Sequence, residues 1–92
     1  MAKKINWEYS EPELDFETGE ETGNILTHTI SLCYSYVSGK AIVTIDGTEF
    51  DISTRPLGLR GTSQVFRLGD TPAILDFPKK GDPAVIVDGE RL

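Results

Sequence analysis

One histidine, His28, and one cysteine, Cys33, are the side chains here whose ordinary chemistry suits proton transfer or thiolate attack near neutral pH. His28 sits in Leu26-Thr-His-Thr-Ile-Ser-Leu32, where every second residue is apolar. That places it on the apolar side of a strand, as a hydrogen-bonded, partly buried residue. A Ser-His-Asp arrangement needs a base oriented by a carboxylate, and no spacing singles out one of the many serines. Cys33 has Ser31 and Ser35 beside it on its own face, no cation to favour its thiolate, and no Cys or His at metal-ligand spacing. The fifteen acids allow many carboxylate pairs for glycoside chemistry, but no two stand out. The acid-rich stretch 10–23 lacks the regular Asp/Asn positions and turn glycine of an EF-hand loop. Gly58-Leu-Arg-Gly61 is too short to cradle a phosphate, and Walker, Rossmann and zinc motifs are absent. The residues therefore lead to a non-enzymatic protein with no cofactor and no metal.

The elements that position these residues read as strands. Asp46-Gly47 is the central signal, because both middle positions of a type I′ hairpin turn need φ > 0. Ala41, Val43 and Ile45 share one face before it, and Phe50 and Ile52 share one face after it. The same dipeptide returns at Asp88-Gly89, between Ala84-Val-Ile-Val87 and Glu-Arg-Leu92. The longest alternating stretch is 24–37, with Leu26, His28, Ile30, Leu32, Tyr34 and Tyr36 on one side and Thr27, Thr29, Ser31, Cys33 and Ser35 on the other. Ile5, Trp7 and Tyr9 form a shorter aromatic strand. Residues 64–68 and 73–77 give two more. Between the first strands lies 10–23, which holds six acids and reads as a loop, with a brief edge strand at Leu14 and Phe16 as the alternative. Seven to eight short strands, frequent turns and no credible helix predict an all-β chain, a compact antiparallel sandwich of two sheets in a single domain over 1–92.

Size and charge narrow the function. At 92 residues the chain has room for one thin core. Its net charge is −6, concentrated in residues 1–51, which carry ten acids against three bases. An acidic surface repels phosphate backbones, so nucleic acid is not an expected partner. No apolar run approaches the ~20 residues that cross a bilayer, so neither is a membrane. The start, Met-Ala-Lys-Lys-Ile-Asn, has no apolar segment behind it, and the cysteine is alone; both lead to an expectation of a reducing cytoplasm.

Several positions also carry a resemblance. Trp7, His28-x-Ile30, Ser38-Gly39-Lys40, Ile42-Val43-x-Ile45-Asp46-Gly47-x-Glu49, Leu59-x-Gly61, Phe66-x-Leu68-Gly69 and Val85-x-Val87-Asp88-Gly89-x-x-Leu92 follow one another in order. Together they resemble the Fas apoptotic inhibitory molecule family over nearly the whole chain, at about the size of one repeat of its two-repeat members. The most specific piece is Ser-Gly-Lys followed by the Asp-Gly hairpin. The resemblance implies a β-sandwich of two four-stranded sheets, without enzymatic activity, acting through protein contacts. The chain departs from the family pattern in having one repeat and in carrying Arg55-Pro56-Leu57 where aromatic residues are expected.

The expected function is thus a small protein-interaction or structural module, binding a protein partner or itself. Its candidate interface is the irregular segment 54–62, where Leu57 and Leu59 accompany Arg55 and Arg60, arginine being enriched at interface hot spots. In the competing view the leucines plug the end of the sandwich. The alternative function is a sugar- or small-molecule-binding sandwich that stacks ligands on Trp7, Tyr9, Tyr34 and Tyr36.

Overall fold

The structure, a computed structural model, describes residues 2–69 and 71–92. It is all-β. Strands β1 (Lys3–Leu14), β2 (Glu21–Tyr34), β3 (Ala41–Ile45) and β4 (Thr48–Asp51) form one antiparallel sheet in that order. Strands β5 (Thr62–Leu68), β6 (Thr71–Phe77), β7 (Ala84–Val87) and β8 (Glu90–Arg91) form the second. Among the described residues no helix is long and apolar enough to cross a membrane.

Each sheet is a meander because its turns are short and chemically specified. Asp46 and Gly47 have φ of 49° and 85°, and Asp88 and Gly89 have 50° and 79°. These are the paired left-handed positions a type I′ turn demands, and they set the register Ile45↔Thr48 and Val87↔Glu90. Gly39 is required for a different reason. Its backbone passes so close to the next connection that a Cβ there would collide with the Arg55 carbonyl.

The alternation in β2 puts His28, Ile30, Leu32 and Tyr34 inward. Ile30, Leu32 and Tyr34 meet Leu68, Ala73, Leu75, Phe77, Val85 and Val87 of the second sheet, with Ala41, Val43 and Leu59 completing the core. Each fully buried large aliphatic contributes on the order of 1.5–3 kcal/mol, so this one layer of side chains holds the sheets together.

Three boundaries differ from the sequence expectation. The acidic stretch is mostly strand: β1 runs on through Ser10–Leu14 and the connecting turn spans only 15–20. Asp15 closes that turn, its Oδ1 accepting the Glu17 N–H at 2.8 Å and its carbonyl accepting the Gly19 N–H at 2.8 Å. Pro12 is compatible with strand because β1 lies at a sheet edge. With twelve residues β1 is also longer than the short strand expected around Ile5, Trp7 and Tyr9. Finally, β2 stops at Tyr34, and Tyr36 belongs to the turn closed by the Ser35 N–H to Lys40 carbonyl bond of 2.9 Å.

Candidate functional site

The one histidine is held at the meeting point of the two sheets. Cross-strand register sets His28 of β2 opposite Tyr9 of β1, whose ring lies nearly parallel to the imidazole with centroids 6.5 Å apart. Asp46, at the head of the β3–β4 turn, brings its Oδ2 to 2.7 Å from Nδ1 of His28. Glu11 of β1 brings Oε1 to 3.1 Å from Nε2. Both carboxylates are anchored in turn: Asp46 Oδ1 accepts the Thr29 N–H at 2.9 Å, and Glu11 Oε2 accepts the Thr71 hydroxyl of β6 at 2.9 Å.

These contacts dictate the electrostatics. The hydrogen bond to Asp46 raises the His28 pKa above 6.5, against the opposing pull of burial and with help from Glu11. The same bond lowers Asp46 below its ordinary 3.8. In its protonated form His28 donates from both nitrogens, Nδ1 to Asp46 and Nε2 to Glu11. A general base needs a free nitrogen aimed at a hydroxyl or water, and neither nitrogen of His28 is free. The hydroxyl in the group, Thr71, donates to Glu11 and not to the ring. The two carboxylates approach through different ring nitrogens and do not converge on one ion. Among the described residues no group of three His, Cys, Asp or Glu side chains is placed to hold a metal. The arrangement is an ionic latch tying β1, β2, the β3–β4 turn and β6 together.

The structure divides the four candidate interface residues. Leu59 is 1% exposed and belongs to the core, so it cannot present its side chain to a partner. Arg60 stacks over Tyr36 with its guanidinium carbon 3.8 Å from the ring centroid. Its Nη1 also donates to the carbonyls of Pro78, Lys79 and Gly81 at 3.2–3.4 Å. It thus clamps the β6–β7 connection onto the end of the sandwich. Leu57 is 73% exposed, at φ 63°, and Arg55 is exposed beside it. The segment is part lid and part free surface. Of the aromatic row suggested for ligand stacking, Tyr34 is buried, and Trp7, Tyr9 and Tyr36 are half-buried, each with one side packed against the core.

A different surface was not legible as a site. Where the edges of β4 and β5 face each other the sandwich stays open. A groove of about 430 Å³ there is floored by Val43, Ile45 and Leu75 and walled by Phe50, Ile52 and Phe66. Phe50 is 48% exposed, Val65 on the rim is 77% exposed, and Arg67 is the cation of the lining. Both flanking strands end their sheets, so their outer backbone groups lack a neighbouring strand. The sequence signal was the apolar parity of Phe50, Ile52 and Phe66. Nothing in it says that β4 and β5 are both terminal. No family model matches the chain, and neither does any curated protein or solved structure compared with it.

Proposed function

We propose that this chain is a non-enzymatic β-sandwich interaction module, a single-repeat counterpart of the Fas apoptotic inhibitory molecule fold. The observation that carries the reading is the open β4–β5 flank, an apolar groove lying between two free strand edges. Its occupant is an extended polypeptide segment. Free edges offer main-chain hydrogen bonds to a strand, and the spaced side chains Ile52, Phe50 and Phe66 offer places for alternate apolar residues. Arg67 in the lining favours an acidic residue at one end of that segment. The latch supports the non-catalytic half of the reading, since it occupies both nitrogens of the one histidine.

Selection of binders from a displayed random-peptide library tests this. The expected binders alternate apolar residues, carry an acid, and lose affinity for a Val65→Glu variant of unchanged melting temperature. No enrichment, or binders indifferent to Val65, would overturn the reading.

A further inference from the structure

The longest free edge of the molecule is β1, and its sequence is complementary to itself. It ends its sheet on one side over its whole length, Lys3–Leu14. Pro12 reveals which residues address that edge. A strand proline stands where its missing N–H would have pointed away from the ladder, and Pro12 is in regular register with Ile25. Residues of the same parity, Lys4, Asn6, Glu8 and Ser10, therefore turn their N–H and C=O groups outward.

We propose that a second copy of this chain occupies that edge, the two β1 strands pairing antiparallel about a two-fold axis at Trp7, so that two four-stranded sheets become one of eight. This surface is separate from the β4–β5 groove, so the inference goes beyond the reading above. With Trp7 opposite Trp7, Ile5 faces Tyr9, Lys3 faces Glu11, Lys4 faces Ser10 and Asn6 faces Glu8. From Lys3 to Glu11 each charged residue then meets an opposite charge or a hydrogen-bonding side chain, as cross-strand pairs require. Centring the axis on Glu8 instead would set Glu8 against Glu8, and centring it on Asn6 would leave everything beyond Tyr9 unpaired. Asn6 is prepared for its role: its Oδ1 already accepts the Ser31 hydroxyl, so its amide N–H groups remain for the Glu8 carboxylate of the second copy. Ile5, Trp7 and Tyr9 are only half-buried in the single chain, and the pairing covers their remaining exposed flank. The interface is isologous and closes at two copies.

The single tryptophan is a built-in probe of this interface. Light scattering after size exclusion should give twice 10.1 kDa at high concentration, and Trp7 emission should shift to the blue over the same concentration range. Glu8→Pro removes only an edge-facing N–H, so it should fold and stay monomeric. Asn6→Glu sets two pairs of like charges face to face and should weaken association by about tenfold or more, whereas adding Glu8→Lys to it should restore the dimer. Should Glu8→Pro not fold, the Asn6→Glu and double variants decide. A wild-type chain that stays monomeric throughout would overturn the proposal. So would a dimer indifferent to Asn6→Glu, including one that Val65→Glu disrupts instead.

Discussion

Replacing His28 by alanine removes the latch at its centre, and the cost can be worked from its geometry. Two hydrogen bonds between charged groups are lost, each of a kind that contributes ~1.5–3 kcal/mol. The Asp46 side chain is 44% exposed, so water screens that bond and it takes the bottom of the range or less. Glu11 is better sheltered, but its other oxygen keeps Thr71. Allowing for rehydration of both carboxylates, His28→Ala should destabilise by about 2–4 kcal/mol. The loss should depend on pH. The folded-state pKa of His28 is raised, so its contribution is complete below 6.5 and fades as pH rises through the folded value above it. The folded-state pKa of Asp46 is lowered, so its contribution is complete above 3.8 and fades as pH falls through the folded value below it. The difference between wild type and variant is therefore largest between those two ordinary values. Urea titrations at about pH 5 and about pH 9 measure it, and the gap should narrow at the higher pH. A gap of the same size at both pH values, or one under ~0.5 kcal/mol at pH 5, would refute the latch.

Other variants probe the remaining supports. Gly47→Val, at φ 85°, should cost ~1–3 kcal/mol by the shift in urea midpoint. Gly39→Ala should be worse than Gly47→Ala, because its methyl also meets the Arg55 carbonyl; thermal melts compare the two. Leu59→Ala should cost ~2–5 kcal/mol while Leu57→Ser changes stability by less than ~0.5, the contrast between a core plug and a surface side chain in urea titration. Arg60→Ala should cost ~0.5–1.5 kcal/mol and speed amide exchange selectively in residues 78–83, which it clamps.

Architecture was legible because it rests on local chemistry. Asp46-Gly47 and Asp88-Gly89 specify their turns whatever surrounds them, and the alternation from His28 to Tyr34 leaves one way to bury a face. The acidic stretch misled because Pro12, Gly19 and Gly23 carry the signals of a loop, whereas Pro12 fits the edge strand β1, Gly19 takes a left-handed position in the short turn and Gly23 lies in β2. The latch was illegible for another reason. Glu11 and Asp46 are 17 and 18 residues from His28, and only register and the packing of one sheet on the other bring them to its ring. Leu57 and Leu59 show the limit most sharply. They are identical residues two apart in an irregular segment, where no period assigns a side, and one lies in the core while the other lies in water.

Amide-resolved NMR of the isotope-labelled chain, titrated with a peptide from the library selection, tests the account most directly. Shifts should concentrate on Thr48–Asp51 and Thr62–Leu68, with the His28 ring signals unmoved. Shifts centred on His28, or on residues 54–57 with the β4–β5 flank silent, would contradict it.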